Sequence, residues 1–105
     1  MRRIVVFCGS SMGSNPAFQQ AARALGANLA QQGVGLVYGG ADIGLMGAVA
    51  NGTLENGGEV IGVLPKFLST KEIAHHHLTE FILVDTLHER KQKMSELADG
   101  VITLP

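Results

Sequence analysis

Two glycine-rich segments of the sequence have the residue types of an anion-binding loop. Residues 8–11 read Cys-Gly-Ser-Ser and residues 39–47 read Gly-Gly-Ala-Asp-Ile-Gly-Leu-Met-Gly, and each follows a short apolar run. Glycines let backbone amides approach a ligand closely, and the helix predicted after the second segment adds the positive end of its dipole. We therefore predict that the two segments bind one phosphate-bearing ligand. The residues assigned to ligand binding are Gly9, Ser10, Ser11, Gly39, Gly40, Gly44, Met46 and Gly47.

The spacing of these glycines narrows the class of ligand. Residues 9–11 do not form the Gly-x-Gly-x-x-Gly fingerprint of dinucleotide binding, and neither segment carries the Gly-Lys-Ser/Thr of a P-loop. A single phosphate on a mononucleotide therefore fits these segments better than NAD or ATP. The alternative, that the glycines only allow close packing in tight turns, stays open at this stage.

The elements that must position these segments follow from the apolar pattern. Short apolar runs at 4–7, 34–38, 60–64, 81–84 and 101–104 predict strands. Apolar residues at helical spacing from Phe18 to Leu29 predict a helix over 15–32 that Gly33 ends, and two more helices are predicted over 44–56 and 86–98. Strands separated by helices predict one Rossmann-like α/β domain over residues 1–105, built on a doubly wound parallel sheet.

The composition excludes several classes of function. Of the 105 residues, 46% are hydrophobic and 16% are charged, which is typical of a globular domain. The net charge of −1 argues against a nucleic-acid partner, and no stretch approaches the roughly 18 apolar residues of a membrane span. The single cysteine, Cys8, fits a reducing compartment, and its place at the end of a buried strand predicts a small apolar residue rather than a nucleophile. We expect a cytoplasmic protein.

Several short motifs occur in one order along the whole chain. They are Phe7-Cys8-Gly9-Ser10-Ser11, Val37-Tyr38-Gly39-Gly40, Gly44-Leu45-Met46-Gly47, residues 58–63 with Pro65, Lys71-Glu72-Ile73, and His88-Glu89-Arg90-Lys91 with Met94. In this set and with this spacing, the sequence resembles the LOG ("Lonely Guy") family of cytokinin riboside 5′-monophosphate phosphoribohydrolases, whose older label is "lysine decarboxylase-like".

The resemblance implies a Rossmann-like fold, a homodimer and an enzyme that activates cytokinins. Its reaction would be hydrolysis of the N-glycosidic bond of an N6-modified AMP, which releases the free base and ribose 5-phosphate. The resemblance implies no nicotinamide, pyridoxal phosphate or metal cofactor. The alternative that we keep is a LOG-like module that binds a nucleotide or the molybdenum cofactor without cleaving it.

The resemblance also assigns roles to individual residues. Arg90 matches the catalytic arginine of the family, Arg90 and Lys91 together match its nucleotide-contacting pair, and Glu72 matches an acidic residue that contacts substrate. The Pro-Gly-Gly-x-Gly-Thr loop of the family, which precedes a catalytic glutamate, would begin at Pro105, the last residue of the sequence. We therefore expect a chain that is truncated at its C-terminus relative to the family and lacks the catalytic glutamate.

Other polar residues have simpler explanations. Residues 86–89 read Thr-Leu-His-Glu, a capping box that accounts for Glu89 without a substrate. Ser69 and Glu72 have the same spacing, so both capping and substrate binding stay open for Glu72. The histidines at 75–77 are consecutive and cannot all face one ion from a regular helix or strand, and we predict no metal site there.

Overall fold

Short runs of Val, Ile and Leu form the strands of the fold, and the longer segments between them form helices. The computed structural model describes residues 2–8, 16–68 and 77–104. The elements are β1 (Arg3–Phe7), α1 (Pro16–Gln31), β2 (Gly35–Tyr38), α2 (Gly44–Glu55), β3 (Val60–Pro65), a 3-10 turn (Lys66–Leu68), β4 (Glu80–Val84), α3 (Leu87–Leu97) and β5 (Gly100–Thr103).

The five strands form one parallel sheet in the order β4-β3-β2-β1-β5. β1 lies between β2 and β5, and its Val5 is in register with Val37 on one side and Val101 on the other. Parallel neighbours need crossover connections, which the helices between the strands provide. The predicted α/β fold with a parallel sheet is thus confirmed.

Alternate residues of the strands face opposite sides of the sheet, and each side has its own core. On one side, Val6, Leu36 and Tyr38 pack in a cluster with α1 and α2. On the other side, Val5, Val37, Ile61 and Val63 pack around Met94 of α3. Because helices cover both faces, the strands can be apolar on both sides, as the continuous apolar runs predicted.

α2 lies deep in the structure, and α1 packs closely against it. Buried residues occur on every turn of α2, from Gly44 to Thr53. A Cβ at Gly26 of α1 would lie 2.8 Å from Thr53 Oγ1 and would also collide with the Val49 carbonyl oxygen, so the two helices meet at a position without a side chain. None of the helices in the described ranges is long and apolar enough to span a membrane.

The predicted elements are confirmed to within one or two residues at each end. Gly33 follows α1 with a φ of 71°, the left-handed conformation of a C-terminal cap. The buried residues of α1 are Ala22, Gly26 and Leu29, whereas Phe18 is 43% exposed. Two of these three residues are small, which suits the close packing of α1 against α2. The predicted helix start at Asn15 and the capping pair at 69–72 lie outside the described residues.

Candidate functional site

The strand order changes direction beside β1, and a pocket opens at that point. β2, β3 and β4 are added in sequence on one side of β1, and β5 is added on the other, so the carboxyl ends of β1 and β5 form a topological switch point. The pocket there has a volume of about 530 Å³, and we call it the switch-point pocket. Its lining residues are Val6, Phe7, Cys8, Gly39, Met46, Leu87, Arg90, Lys91, Met94, Val101 and Thr103.

Arg90 reaches this pocket from the first turn of α3. The helix begins after Thr86, whose Oγ1 accepts a hydrogen bond from the Glu89 amide at 3.0 Å, so the Thr86 half of the predicted capping box is confirmed. Arg90 Nε donates to the Val63 carbonyl oxygen at 2.9 Å, and Arg90 Nη2 donates to the Gly39 carbonyl oxygen. The guanidinium therefore lies across the carboxyl ends of β2 and β3.

The rest of the pocket is mainly apolar. α3 contributes Met94, which is 2% exposed, and Leu87, which is 55% exposed, and β5 contributes Val101, which is 61% exposed. Lys91, the neighbour of Arg90, adds a second cation to the lining. Two cations beside apolar walls suit a ligand that has an anionic group and a flat apolar part.

Cys8 lines the pocket at the end of β1. Its burial raises the pKa of the thiol to about 11, so the thiol is neutral near pH 7. A neutral thiol is a poor nucleophile. The position therefore agrees with the prediction that Cys8 acts as a small apolar residue.

The loop after β2 is fixed by the side chain of Tyr38. The buried Tyr38 hydroxyl donates to the Ala41 carbonyl oxygen at 2.8 Å, and Gly40 between them has a φ of 88°, a conformation that favours glycine. Burial, with a smaller contribution from the Asp42 charge, raises the pKa of Tyr38, which keeps the hydroxyl protonated as a donor. The loop thereby holds Gly39 against the pocket.

The structure brings some of the predicted ligand residues together and separates others. Gly39, Met46, Arg90 and Lys91 line the switch-point pocket. Gly40 instead packs against β3, where a Cβ would lie 3.3 Å from Leu64 Cβ.

The remaining glycines of the second segment lie elsewhere. Gly44 and Gly47 line a separate groove of about 320 Å³ beside α1 and α2, and a Cβ at Gly47 would lie 2.6 Å from the Asp42 carbonyl oxygen. Gly40 and Gly47 thus have a packing reason of their own, and the ligand roles of Gly40, Gly44 and Gly47 stay predictions.

Four predicted ligand residues, Gly9, Ser10, Ser11 and Glu72, lie outside the described residues. Of the three consecutive histidines, the structure describes only His77, which lines a shallow groove with Leu54 and Glu55. Within the described ranges, no three His, Cys, Asp or Glu side chains converge on a point that could hold a metal ion.

Several pocket residues were not assigned to the site from the sequence. Leu87, Val101 and Thr103 come from α3 and β5, which the sequence pattern identified only as a helix and a strand. The signal that could have found them is the strand order, because placing β5 beside β1 brings Thr103 into register with Phe7. Strand order is a long-range property and does not follow from local periodicity.

Comparison with known proteins gives matches along nearly the whole chain. The family model described as "Possible lysine decarboxylase" matches residues 46–105. A cytokinin riboside 5′-monophosphate phosphoribohydrolase from Rhodococcoides fascians is 45% identical over 105 residues, covering 99% of this chain and 53% of the relative. The enzyme of that name from Oryza sativa subsp. japonica is 45% identical over 104 residues, covering 99% of this chain and 43% of the relative. The chain thus spans about half the length of these curated relatives.

Solved structures share the fold at lower sequence identity. The Moco carrier protein from Chlamydomonas reinhardtii superposes with a TM-score of 0.81 at 22% identity, covering 98% of this chain and 61% of that one. The molybdenum cofactor binding protein from Rippkaea orientalis superposes with a TM-score of 0.81 at 24% identity, with the same coverage. At this identity the likeness establishes the fold alone.

Proposed function

The chain belongs to the possible lysine decarboxylase family, which is the LOG family that its motifs resemble, and from this membership we propose that it binds a nucleoside 5′-monophosphate for hydrolysis of the N-glycosidic bond. The observation that carries the proposal is the placement of Arg90, whose guanidinium lies at the carboxyl ends of β2 and β3 in an otherwise mainly apolar pocket. The proposed substrate is AMP with an apolar N6 substituent. The relatives matched at 42–45% identity carry the phosphoribohydrolase name, so we do not extend the decarboxylase wording to this chain.

Cleavage of a ribosyl C–N bond sets two chemical requirements. The transition state resembles an oxocarbenium ion with a departing purine anion, so a carboxylate must stabilise the sugar or orient water, and a cation must stabilise the phosphate or the leaving base. Arg90 meets the second requirement, because its planar fork pairs with two acceptors of a phosphate or a purine. Lys91 adds a point charge that strengthens the attraction to the phosphate.

The experiment combines a binding assay with a product assay. We expect the chain to bind AMP saturably in calorimetry. We expect a protein that also carries the Pro-Gly-Gly-x-Gly-Thr loop and the glutamate of the family after Pro105 to release the free base from N6-isopentenyladenosine 5′-monophosphate. Arg90→Ala should weaken AMP binding at least tenfold and abolish base release. The matched control is Lys93→Ala, which removes one positive charge from the same helix at a residue that lines a different groove. Equal binding and turnover in the two variants would contradict the role of Arg90.

A second candidate is binding without cleavage. The observation that favours it is the lining of the switch-point pocket, in which the described residues supply cations and apolar surface but no carboxylate. The first requirement of the hydrolysis is therefore not met by these residues. Saturable AMP binding without release of free base, at any enzyme concentration, would support this candidate over the first.

Three further expectations belong to the proposal. The homodimer and the cytoplasmic location rest on the resemblance and on composition. The division of the chain into a single domain over residues 1–105 rests on the pattern of strands and helices. All three stay predictions.

A further inference from the structure

The hydrogen bonds of Arg90 begin where the ladder between β2 and β3 stops. Tyr38 and Gly62 are the last pair in register between these strands, whereas β3 continues to pair with β4 as far as Pro65. Gly39 and Val63 are the next residues on the two sides of this gap, and both of their carbonyl oxygens accept hydrogen bonds from Arg90. The guanidinium thus joins the two strand ends just beyond their last backbone pair.

Gly39 is required at this point by space rather than by backbone conformation. Its φ is not in the left-handed region, which among the described glycines is occupied by Gly33, Gly40, Gly44 and Gly57. A Cβ at Gly39 would collide with Arg90 Nη2 and would lie 2.9 Å from Met46 Sδ and 3.0 Å from Met46 Cε. Real Cβ atoms do not tolerate such distances, so a side chain at position 39 would displace these neighbours.

We propose that Gly39 is the positioning residue for Arg90, because its missing side chain leaves the space in which the guanidinium docks on the two carbonyls. Its effect on the nucleotide rests on the proposed function, whereas its effect on Arg90 does not. The guanidinium carries five N–H donors in a rigid plane. Fixing two of them on the backbone therefore fixes the direction of the whole group relative to the pocket.

An alanine at position 39 should leave the fold intact and move Arg90. The atoms that a Cβ would meet are the ends of two flexible side chains, Arg90 and Met46, and both can swing away without a shift of the backbone. Arg90 would then lose the bond from Nη2 to Gly39, and the bond from Nε to Val63 would weaken as the plane turns. The consequence is a mobile cation in place of a fixed one.

Exchange of the Arg90 Nε–H proton with water tests this directly. In ¹⁵N spectra of the full chain, the signal is assigned by its absence in Arg90→Lys, and we expect the donated proton to be protected from exchange. Gly39→Ala should speed its exchange at least tenfold while the dispersion of the backbone amide signals is retained. The matched control is Gly100→Ala, where a Cβ would approach only the flexible end of Ile4 at the opposite edge of the sheet.

AMP affinity supplies the second measurement. Gly39→Ala should weaken AMP binding about tenfold, Gly100→Ala should change it less than twofold, and adding Met46→Ala to Gly39→Ala should not restore it. Unchanged Arg90 Nε–H exchange in Gly39→Ala, or rescue of affinity by Met46→Ala, would overturn the proposal. If the unmodified chain does not bind AMP, the proposed function fails, and the exchange measurement still decides the role of Gly39.

Discussion

Arg90 donates two hydrogen bonds to backbone carbonyls, and these set its orientation before any ligand binds. Such preorganisation lowers the cost of ordering a long side chain when an anion arrives. The motif around residues 88–91 identified Arg90 as a site residue, but it did not indicate what holds the side chain. Backbone carbonyls are present at every residue, so the sequence carries no signal for Gly39 and Val63 as its acceptors.

The Cys8 thiol in the switch-point pocket leads to a prediction about its reactivity. Cys8 is the only cysteine of the chain, and burial raises its pKa to about 11. At pH 8 we therefore expect iodoacetamide to react with the folded protein about 10–100 times more slowly than with the chain unfolded in urea, where the thiol has its ordinary pKa. The rate is followed by mass spectrometry.

The pH dependence of this reaction has a definite sign. Because the folded pKa is raised, the folded thiol stays protonated while the unfolded thiol ionises, so Cys8 favours the folded state less as pH rises above about 9. The difference in rate between folded and unfolded chains should narrow as pH approaches the folded pKa. Equal rates at pH 8 would show that burial does not control the thiol.

At the scale of elements, the contact between α1 and α2 predicts the effect of a single methyl group. Gly26→Ala places a Cβ 2.8 Å from Thr53 Oγ1 and against the Val49 carbonyl oxygen. In an exposed helix this substitution would gain about 1 kcal/mol of stability. Here we expect a net loss of about 1–3 kcal/mol from overpacking, measured by urea unfolding.

Two further variants serve as a parallel test and a control for the urea unfolding of Gly26→Ala. Gly52→Ala adds a methyl group to the same contact from α2, because its Cβ would lie 2.9 Å from the carbonyl carbon of Arg23. This variant should also lower the free energy of unfolding. Gly100→Ala meets only a flexible side chain and should change the unfolding midpoint little. A stabilised Gly26→Ala protein would mean that the helices can separate without cost.

The elements themselves could be predicted because their boundaries are marked locally. Pro65 closes β3, Gly33 caps α1, and Thr86 begins α3, and each acts on its own few residues. The exposure of the Phe18 side chain could not be predicted, because helical spacing identifies an apolar stripe but does not indicate what packs against it. In this fold the partner of α1 is another helix at close range, and small residues suit that contact better than a phenyl ring.

At the scale of the whole molecule, the carboxyl and amino edges of the sheet differ in structure. The switch-point pocket lies at the carboxyl edge, whereas the amino edge is joined by polar contacts. Arg3 Nε donates a hydrogen bond to Glu59 Oε1 at 2.8 Å, and the Arg3 backbone amide donates one to Asp99 Oδ2 at 3.0 Å. These contacts connect the start of β1 with the residues that lead into β3 and β5.

The Arg3 contact predicts a loss of stability in acid. The hydrogen bond from Arg3 lowers the pKa of Glu59 below its ordinary value, so the contribution is present above that ordinary value and is lost as pH falls through the lowered one. Glu59→Gln should lower the melting temperature at pH 7 by about 1–4 °C, and the difference should vanish at pH 2–3. Glu96→Gln, on the exposed surface of α3, is the control and should change neither value. A difference that persists at pH 2 would contradict the ionic origin.

The composition of the site was only partly predictable at this scale. The sequence identified the second glycine segment and Arg90, which lie 43 or more residues apart along the chain. It did not indicate that Gly44 and Gly47 lie in another groove or that Val101 and Thr103 complete the pocket. Those placements depend on which strands are neighbours, and that is decided by packing of the entire sheet.

The strand order has a consequence for synthesis of the protein. β2, β3 and β4 can each pair with the preceding strand as they leave the ribosome, whereas β5 must pass β4, β3 and β2 to pair with β1. Within the described sheet, the second edge of β1 therefore stays unpaired until β5 arrives. We expect the wall formed by Val101 and Thr103 to be added after β1 to β4 have paired, so that a nucleotide would be captured only once all five described strands are in place.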